Sequence, residues 1–322
     1  MTSLPPSLPG SPLRQLYRWA REPIGLLDEC HEKLGEPFSL RLPGGRPHVV
    51  FSHPDEVKQI LAGDPDVFYG GVSNAITGPV VGKQSIFLSD GPRHGALRRL
   101  VGPPFTGNRM RAYGDAMREI ADTAIRAWPR GVPFAINPAV HEISLDVVMR
   151  TVFGLEKGER FERLRSLCLK VMTRSEWFPL IQAKLGLLKP LLDRIDEVLY
   201  AEIRRTREEA SHGATREDVL HLLVTARDES GQTLSEESLR DQLVTLLLAG
   251  HETTATTLAW VFHRLTRHPD VLEKVREEIA RVVGKGPVKP DDVAKLEYLE
   301  GVIKETMRLF PILPLMARDL QA

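Results

Sequence analysis

The chain has 322 residues, of which 42% are hydrophobic and 27% charged, enough apolar material for one large core or two modest ones. Its 43 Lys and Arg balance its 43 Asp and Glu, so no net field exists to gather nucleic acid or an anionic membrane surface. Two distant cysteines, Cys30 and Cys168, exclude a disulfide framework and a Cys-rich metal site, and no run of about 18 apolar residues offers a transmembrane helix. The opening residues 1–12 carry four prolines and no apolar stretch, which reads as a stiff polar leader and not a signal peptide, so cytoplasmic is the expected location.

From Leu13 to Gly35 the pattern is helical with a break at Pro23. Phe38 to Leu42 and His48 to Phe51 then flank Pro43-Gly44-Gly45-Arg46-Pro47, the signature of a hairpin, and Ser52-His53-Pro54-Asp55 starts a helix with proline in its first turn. Tyr69 to Gly82 is rich in Gly, Val and Ser without periodicity, which predicts a long loop; it lacks any GxGxxG or Walker pattern. Asp90 is placed to cap a helix carrying His94 and Arg98 at i and i+4. Two donors on one face suit a carboxylate partner, although from spacing alone a solvated basic surface face is the more common meaning.

Amphipathic helices are predicted around Met110 to Trp128, Glu142 to Phe153, Arg160 to Met172 and Leu187 to Glu209, and another helix over Thr215 to Asp228. Cys168 falls on the apolar stripe of Leu164, Leu167 and Val171 and is expected to be a core thiol, as is Cys30.

The most informative stretch is Glu236 to His268. Ser235 is a suitable N-cap, Glu236 and Glu237 fill the first turn and Pro269 ends the run, which predicts one helix of about 32 residues. Its middle should be buried, yet Ala249-Gly250-His251-Glu252-Thr253-Thr254 puts polar groups there. Gly250 removes a side chain where something comes close, and the Thr253 hydroxyl either bonds back to Ala249 or turns to another partner. A local opening into a groove is the expectation. A zinc-hydrolase reading of His251-Glu252 requires a second His one turn on, where Ala255 stands instead.

Beyond Pro269, Val271 to Val283 and Asp291 to Leu309 are predicted helical, with a loop from Gly284 to Pro290. On the last helix Glu305 and Arg308 meet at i and i+3, at the edge of an apolar side formed by Leu299, Val302, Ile303, Thr306 and Leu309. No repeat or long linker divides the chain, so a single domain over residues 1–322, mainly α with a small β-sheet near the N-terminus, is the expected architecture.

Taken in order, the hairpin and Pro54 helix, Gly91-Pro92-Arg93-His94 with Arg98-Arg99, Ala249-Gly250-His251-Glu252-Thr253-Thr254, Glu305-Thr306-Met307-Arg308 and Pro311 to Arg318 resemble the cytochrome P450 family of haem-thiolate monooxygenases, above all its soluble bacterial members. The resemblance implies haem b as cofactor, with His94 and Arg98 on one propionate and Arg318 on the other. It makes Ala249 and Gly250 the lining of the oxygen groove, has Thr253 hydrogen-bond dioxygen, and has Glu252 pass protons inward. It makes Glu305 and Arg308 a buried pair that locks the core, and it leaves His251, at the variable position of its motif, without a role. It further implies O2, an apolar small-molecule substrate and electrons from NAD(P)H delivered by a ferredoxin- or flavodoxin-type partner.

The family's iron ligand is a Cys in a Gly-rich loop downstream of the Glu-x-x-Arg helix, and neither Cys30 nor Cys168 has that context. The expectation is therefore a family member truncated before the Cys loop, with no turnover as a 322-residue chain. The alternative, from a different class, is a non-catalytic remnant that binds haem weakly or serves as an interaction module. Segments 70–82 and 171–192 are where the resemblance places substrate specificity.

Overall fold

A computed structural model of the chain describes residues 4–44, 46–173, 186 and 188–321, which group into two compact units. One unit runs to Tyr69 and resumes at Pro314; the other is Gly70–Leu313. Most of segment 171–192, expected to influence specificity, lies outside the described residues.

In the first unit, helices α1 (Pro12–Arg21) and α2 (Pro23–Leu34) meet at the predicted break. The Ser11 hydroxyl accepts from the Arg14 N–H and Pro12 occupies the first turn, so α1 begins where its free N–H groups find an acceptor. Strands β1 (Phe38–Leu40) and β2 (His48–Val50) pair antiparallel with Phe38 opposite Val50. Leu8, Leu26, Cys30, Phe38 and Leu40 form the core of this unit, so Cys30 is buried as expected. Helix α3 (Pro54–Leu61) follows. Strand β3 (Phe68–Tyr69) pairs with β4 (Asp319–Leu320), and Arg46 reaches Asp319 at 2.5 Å. The small sheet of the sequence reading is thus two separate two-stranded pieces.

The second unit contains α4 (Gly78–Val81), α5 (Gly91–Val101), α6 (Asn108–Ala127), α7 (Ile136–Thr151), α8 (Glu159–Thr173), α9 (Lys189–Ser211), α10 (Val219–Thr225), α11 (Glu236–Arg267), α12 (Pro269–Val282), α13 (Pro290–Val293) and α14 (Glu297–Leu309). Helix α11 is the axis. The Ser235 hydroxyl caps it by accepting from the Ser238 N–H at 3.0 Å, and its helical run ends one residue before His268, the C-cap that precedes Pro269. Its first half, through Leu239, Leu243, Val244 and Leu247, joins the main core with α7, α8, α9 and α10. Its last turns, through Val261 and Leu265, make a smaller core with α12 and α14.

Three elements differ from expectation. Segment 69–82 is not featureless loop: a 3-10 turn at Ala75–Thr77 leads into α4, whose first turn holds Pro79. The helix expected from Thr215 is shorter, because the Asp218 carboxylate accepts from the His221 N–H and sets the start of α10. The run from Asp291 to Leu309 is two helices rather than one. The Glu278 carboxylate on α12 accepts from the N–H groups of Tyr298 and Leu299, both at 2.9 Å, and so caps a new helix start. These bonds, Tyr298 foremost, hold the Glu278 carboxyl below the usual carboxylate range.

Candidate functional site

Polar residues enter α11 in two blocks, which the fold treats differently. The first, Arg240 to Thr245, is buried, and the sequence reading passed over it. Arg240 donates to Asp196 at 2.7 Å, to Asp241 at 2.9 Å and to the Val80 carbonyl at 3.2 Å. Burial opposes the charge on Arg240, but Asp196 and Asp241 outweigh it and its pKa lies above the ordinary arginine value. Asp241 accepts from the Gln84 N–H at 2.7 Å, while Gln242 accepts from Ile86 N–H and donates to the Gln84 carbonyl. Ser85 and Thr245 share a hydroxyl hydrogen bond of 2.6 Å.

Segment 82–86 is thereby laid along α11 with its backbone groups satisfied by side chains. Gly82, at φ +83°, is required there: a Cβ would stand 2.0 Å from Asp241 Oδ1. The only sequence signal for this clasp was the polar run Arg240-Asp241-Gln242 inside an apolar helix.

The second block is the predicted one. Helix α11 runs through it without interruption, so the expected local opening does not occur. Burial is also one-sided: His251 and Ala255 are fully buried, whereas Ala249, Gly250, Glu252 and Thr254 are exposed and Thr253 is half-buried. Spacings of three and four residues put Ala249, Glu252 and Thr253 on one strip of the helix, with Gly250 beside them. The Thr253 hydroxyl donates back to the Ala249 carbonyl at 2.5 Å. Gly250 is not forced by packing, since a Cβ there would meet Val148 Cγ2 at an ordinary 3.6 Å.

The buried His251 points the other way, toward α7. Its Nε2 lies 3.3 Å from His141 Nδ1, and the rings cross edge-on with centroids 5.1 Å apart. Ser144 on α7 donates to the His251 carbonyl at 3.0 Å. Burial, with His141 adding to it, pushes the His251 imidazole down to about 4. Glu252 Oε2 sits 3.9 Å from His141 Nδ1. Sequence reasoning missed His141, which lies on another helix 110 positions away.

His94 and Arg98 stand on α5 as expected. Asp90 occupies the N-cap position, but its carboxylate accepts from the N–H groups of Gly71 and Val72, at 2.7 and 3.0 Å, and so anchors the start of segment 70–82 instead of capping α5. His94 Nδ1 is 3.4 Å from Ser89 Oγ, which donates to the Ile86 carbonyl; Ile86 N–H is in turn held by Gln242. Helix α5 is therefore linked to the clasped half of α11. Arg98 is exposed, and among the described residues no acceptor takes up its guanidinium, whereas neighbouring Arg99 pairs with Glu229 at 3.1 Å. In the other compact unit, Arg318 is half-buried and donates to its neighbour Ala317.

Glu305 and Arg308 meet in a two-pronged pair of 2.7 and 2.8 Å, but their side chains are 55% and 68% exposed. The burial expected of this pair is therefore absent. Leu299, Val302 and Ile303 turn toward α11 and α12, which leaves the pair on the outer edge of α14.

The residues fit part of a haem site. His94 and the unpartnered Arg98 are donors suited to an anionic propionate, and the Ala249–Gly250 strip is bare enough for a flat group to approach. The thiols do not fit: Cys168 is sealed in the core, where burial pushes its pKa up to about 12, and burial likewise raises that of Cys30. Neither offers a thiolate.

The cytochrome P450 family model matches residues 5–322. Cytochrome P450 135B1 of Mycobacterium bovis is 37% identical over 318 residues, covering 96% of this chain and 66% of that protein. Cytochrome P450 137 of Mycobacterium tuberculosis is 38% identical over 274 residues, covering 81% of this chain and 54% of that protein. The chain thus spans about two thirds or less of the length of these relatives. Among solved structures, a cyanobacterial CYP120A1 with retinoic acid bound superposes with a TM-score of 0.79 at 22% identity, over 98% of this chain and 72% of that one. The haem domain of cytochrome P450DA superposes at 0.80 with 24% identity, over 99% and 71%. These two show the same mainly helical fold. The match over nearly every residue, together with relatives above 30% identity, places the chain in the cytochrome P450 family.

Proposed function

We propose that this chain provides the oxygen-activating face and propionate donors of a haem-dependent monooxygenase that inserts one oxygen atom from O2 into an apolar small molecule. The carrying observation is the strip on α11 where Ala249 and Gly250 lie bare beside the Glu252 carboxylate and the Thr253 hydroxyl. Haem, when bound, supplies the redox chemistry of oxygen.

His94 and Arg98 would hold a propionate, and the bare Ala249–Gly250 strip would let a flat group approach. Thr253 holds a proton at Oγ1. To donate it toward the open face, the hydroxyl releases the Ala249 carbonyl and rotates about χ1. Glu252, 56% exposed and without a hydrogen bond to the described residues, exchanges protons with water and renews the supply. Neither Cys30 nor Cys168 would supply a thiolate to the haem. Electrons from NAD(P)H arrive through a ferredoxin- or flavodoxin-type partner. No helix among the described residues is long and apolar enough to cross a membrane.

The test uses the haem-loaded protein that contains this chain. Its reduced carbon monoxide complex should show the thiolate-type Soret shift. Glu252→Gln should keep that band while lowering the rate of product formation about 10²-fold. Lack of the band, or an unchanged rate in Glu252→Gln, would contradict the reading.

A further inference from the structure

His141, His251 and Glu252 form a cluster that the oxygen-activating reading does not absorb. Helix α7 supplies one imidazole, and α11 supplies the other together with the carboxylate. We propose that these three side chains bind one divalent transition-metal ion of the zinc class.

The ligand atoms lie within 4.8 Å of one another, and among the described residues this is the group of three His, Cys, Asp or Glu side chains so placed. The His141 Nδ1 to His251 Nε2 separation is 3.3 Å. Two nitrogens bound to a tetrahedral zinc at about 2.0–2.1 Å are themselves about 3.3–3.4 Å apart, so both imidazoles already sit at the spacing of a coordination edge.

Glu252 Oε2, at 3.9 Å from His141 Nδ1, is longer than such an edge by about half an ångström. Its side chain is exposed and makes no hydrogen bond among the described residues, so a small rotation closes the gap. The backbone beneath is fixed, since His251 is fully buried on an unbroken helix and Ser144 of α7 donates to its carbonyl. Two imidazoles with one carboxylate favour Zn2+, Co2+ or Ni2+ over Mg2+ or Ca2+, which prefer all-oxygen shells. Glu252 faces solvent, which leaves a fourth position open to water.

The missing second His of an HExxH helix, at Ala255, is no obstacle here, because the second imidazole comes from α7. On the reading that Glu252 renews protons for oxygen activation, an ion held here occupies that carboxylate and slows turnover.

Zinc titration of the tag-free chain by calorimetry, with the visible spectrum of added cobalt, tests the site without reference to activity. The expected result is one ion per chain and the intense bands of low-coordinate cobalt. His141→Asn and Glu252→Gln should each weaken binding at least about tenfold. Both positions are partly exposed, so the variants should fold, and far-UV circular dichroism checks that they do. Absence of binding to the parent chain, or equal binding after both substitutions, would overturn the site. Binding with the expected pattern but no inhibition of the haem-loaded enzyme would support the site and contradict the role given to Glu252, so the two failures are separable.

Discussion

Helix α11 carries two polar stretches that the fold handles in opposite ways. From Arg240 to Thr245 every polar side chain is enclosed, and each is matched by a partner on segment 80–86 or α9. From Ala249 to Thr254, by contrast, only His251 is enclosed, while Glu252 and Thr254 stand in solvent and Thr253 merely bonds back to its own helix. Buried charge is tolerable only when paired, so the first stretch reads as architecture. Polar groups left unspent on a bare strip are available to a ligand, so the second reads as a working surface.

The largest expected effect comes from breaking the enclosed half. Arg240→Ala strands Asp241 in a buried setting and Asp196 in a half-buried one, and should lower unfolding free energy by about 3–5 kcal/mol in urea titrations. A loss within about 0.5 kcal/mol, the ordinary surface range, would mean that the clasp is not what holds segment 82–86. Gly82→Ala should come next, at about 1–3 kcal/mol, because alanine is strained at φ +83° and its Cβ would displace Asp241.

Gly250→Ala should act in the reverse direction. Nothing crowds that position, so replacing glycine within the helix should raise stability by about 0.5–1 kcal/mol while reducing haem occupancy in the loaded protein. Smallest of all, Glu305→Gln should leave the denaturation midpoint unchanged, since that pair is exposed. A clear drop would show the pair to be more than a surface contact.

How much of this was legible in the sequence follows from distance along the chain. The bounds of α11 were legible because Ser235 and Pro269 act on their immediate neighbours. The core thiol of Cys168 was legible from a local stripe. Burial pushes it up to about 12, so only about one in ten thousand is thiolate at pH 8, and alkylation should require unfolding.

The rest depends on partners that no local pattern brings together. Asp241 meets Gln84 across 157 positions, and His251 meets His141 across 110. Glu278 splits the predicted Asp291 to Leu309 helix from twenty residues upstream of Tyr298. Asp90 shows the same limit on a smaller scale: its position is that of an N-cap, but the nearby N–H groups of Gly71 and Val72 take its carboxylate. For His94, Arg98, Glu252 and Thr253, periodicity fixed which face each occupies, whereas their chemical roles came from the family resemblance.

The central claim is that the bare strip of α11 delivers protons to oxygen, and Thr253 tests it most directly. Product formed per O2 consumed should be measured in the haem-loaded protein for the parent, Thr253→Ser and Thr253→Ala. The account predicts that serine, which keeps the hydroxyl, stays near the parent and that alanine falls about tenfold or more while oxygen consumption continues. Parent-like yield in Thr253→Ala would contradict it.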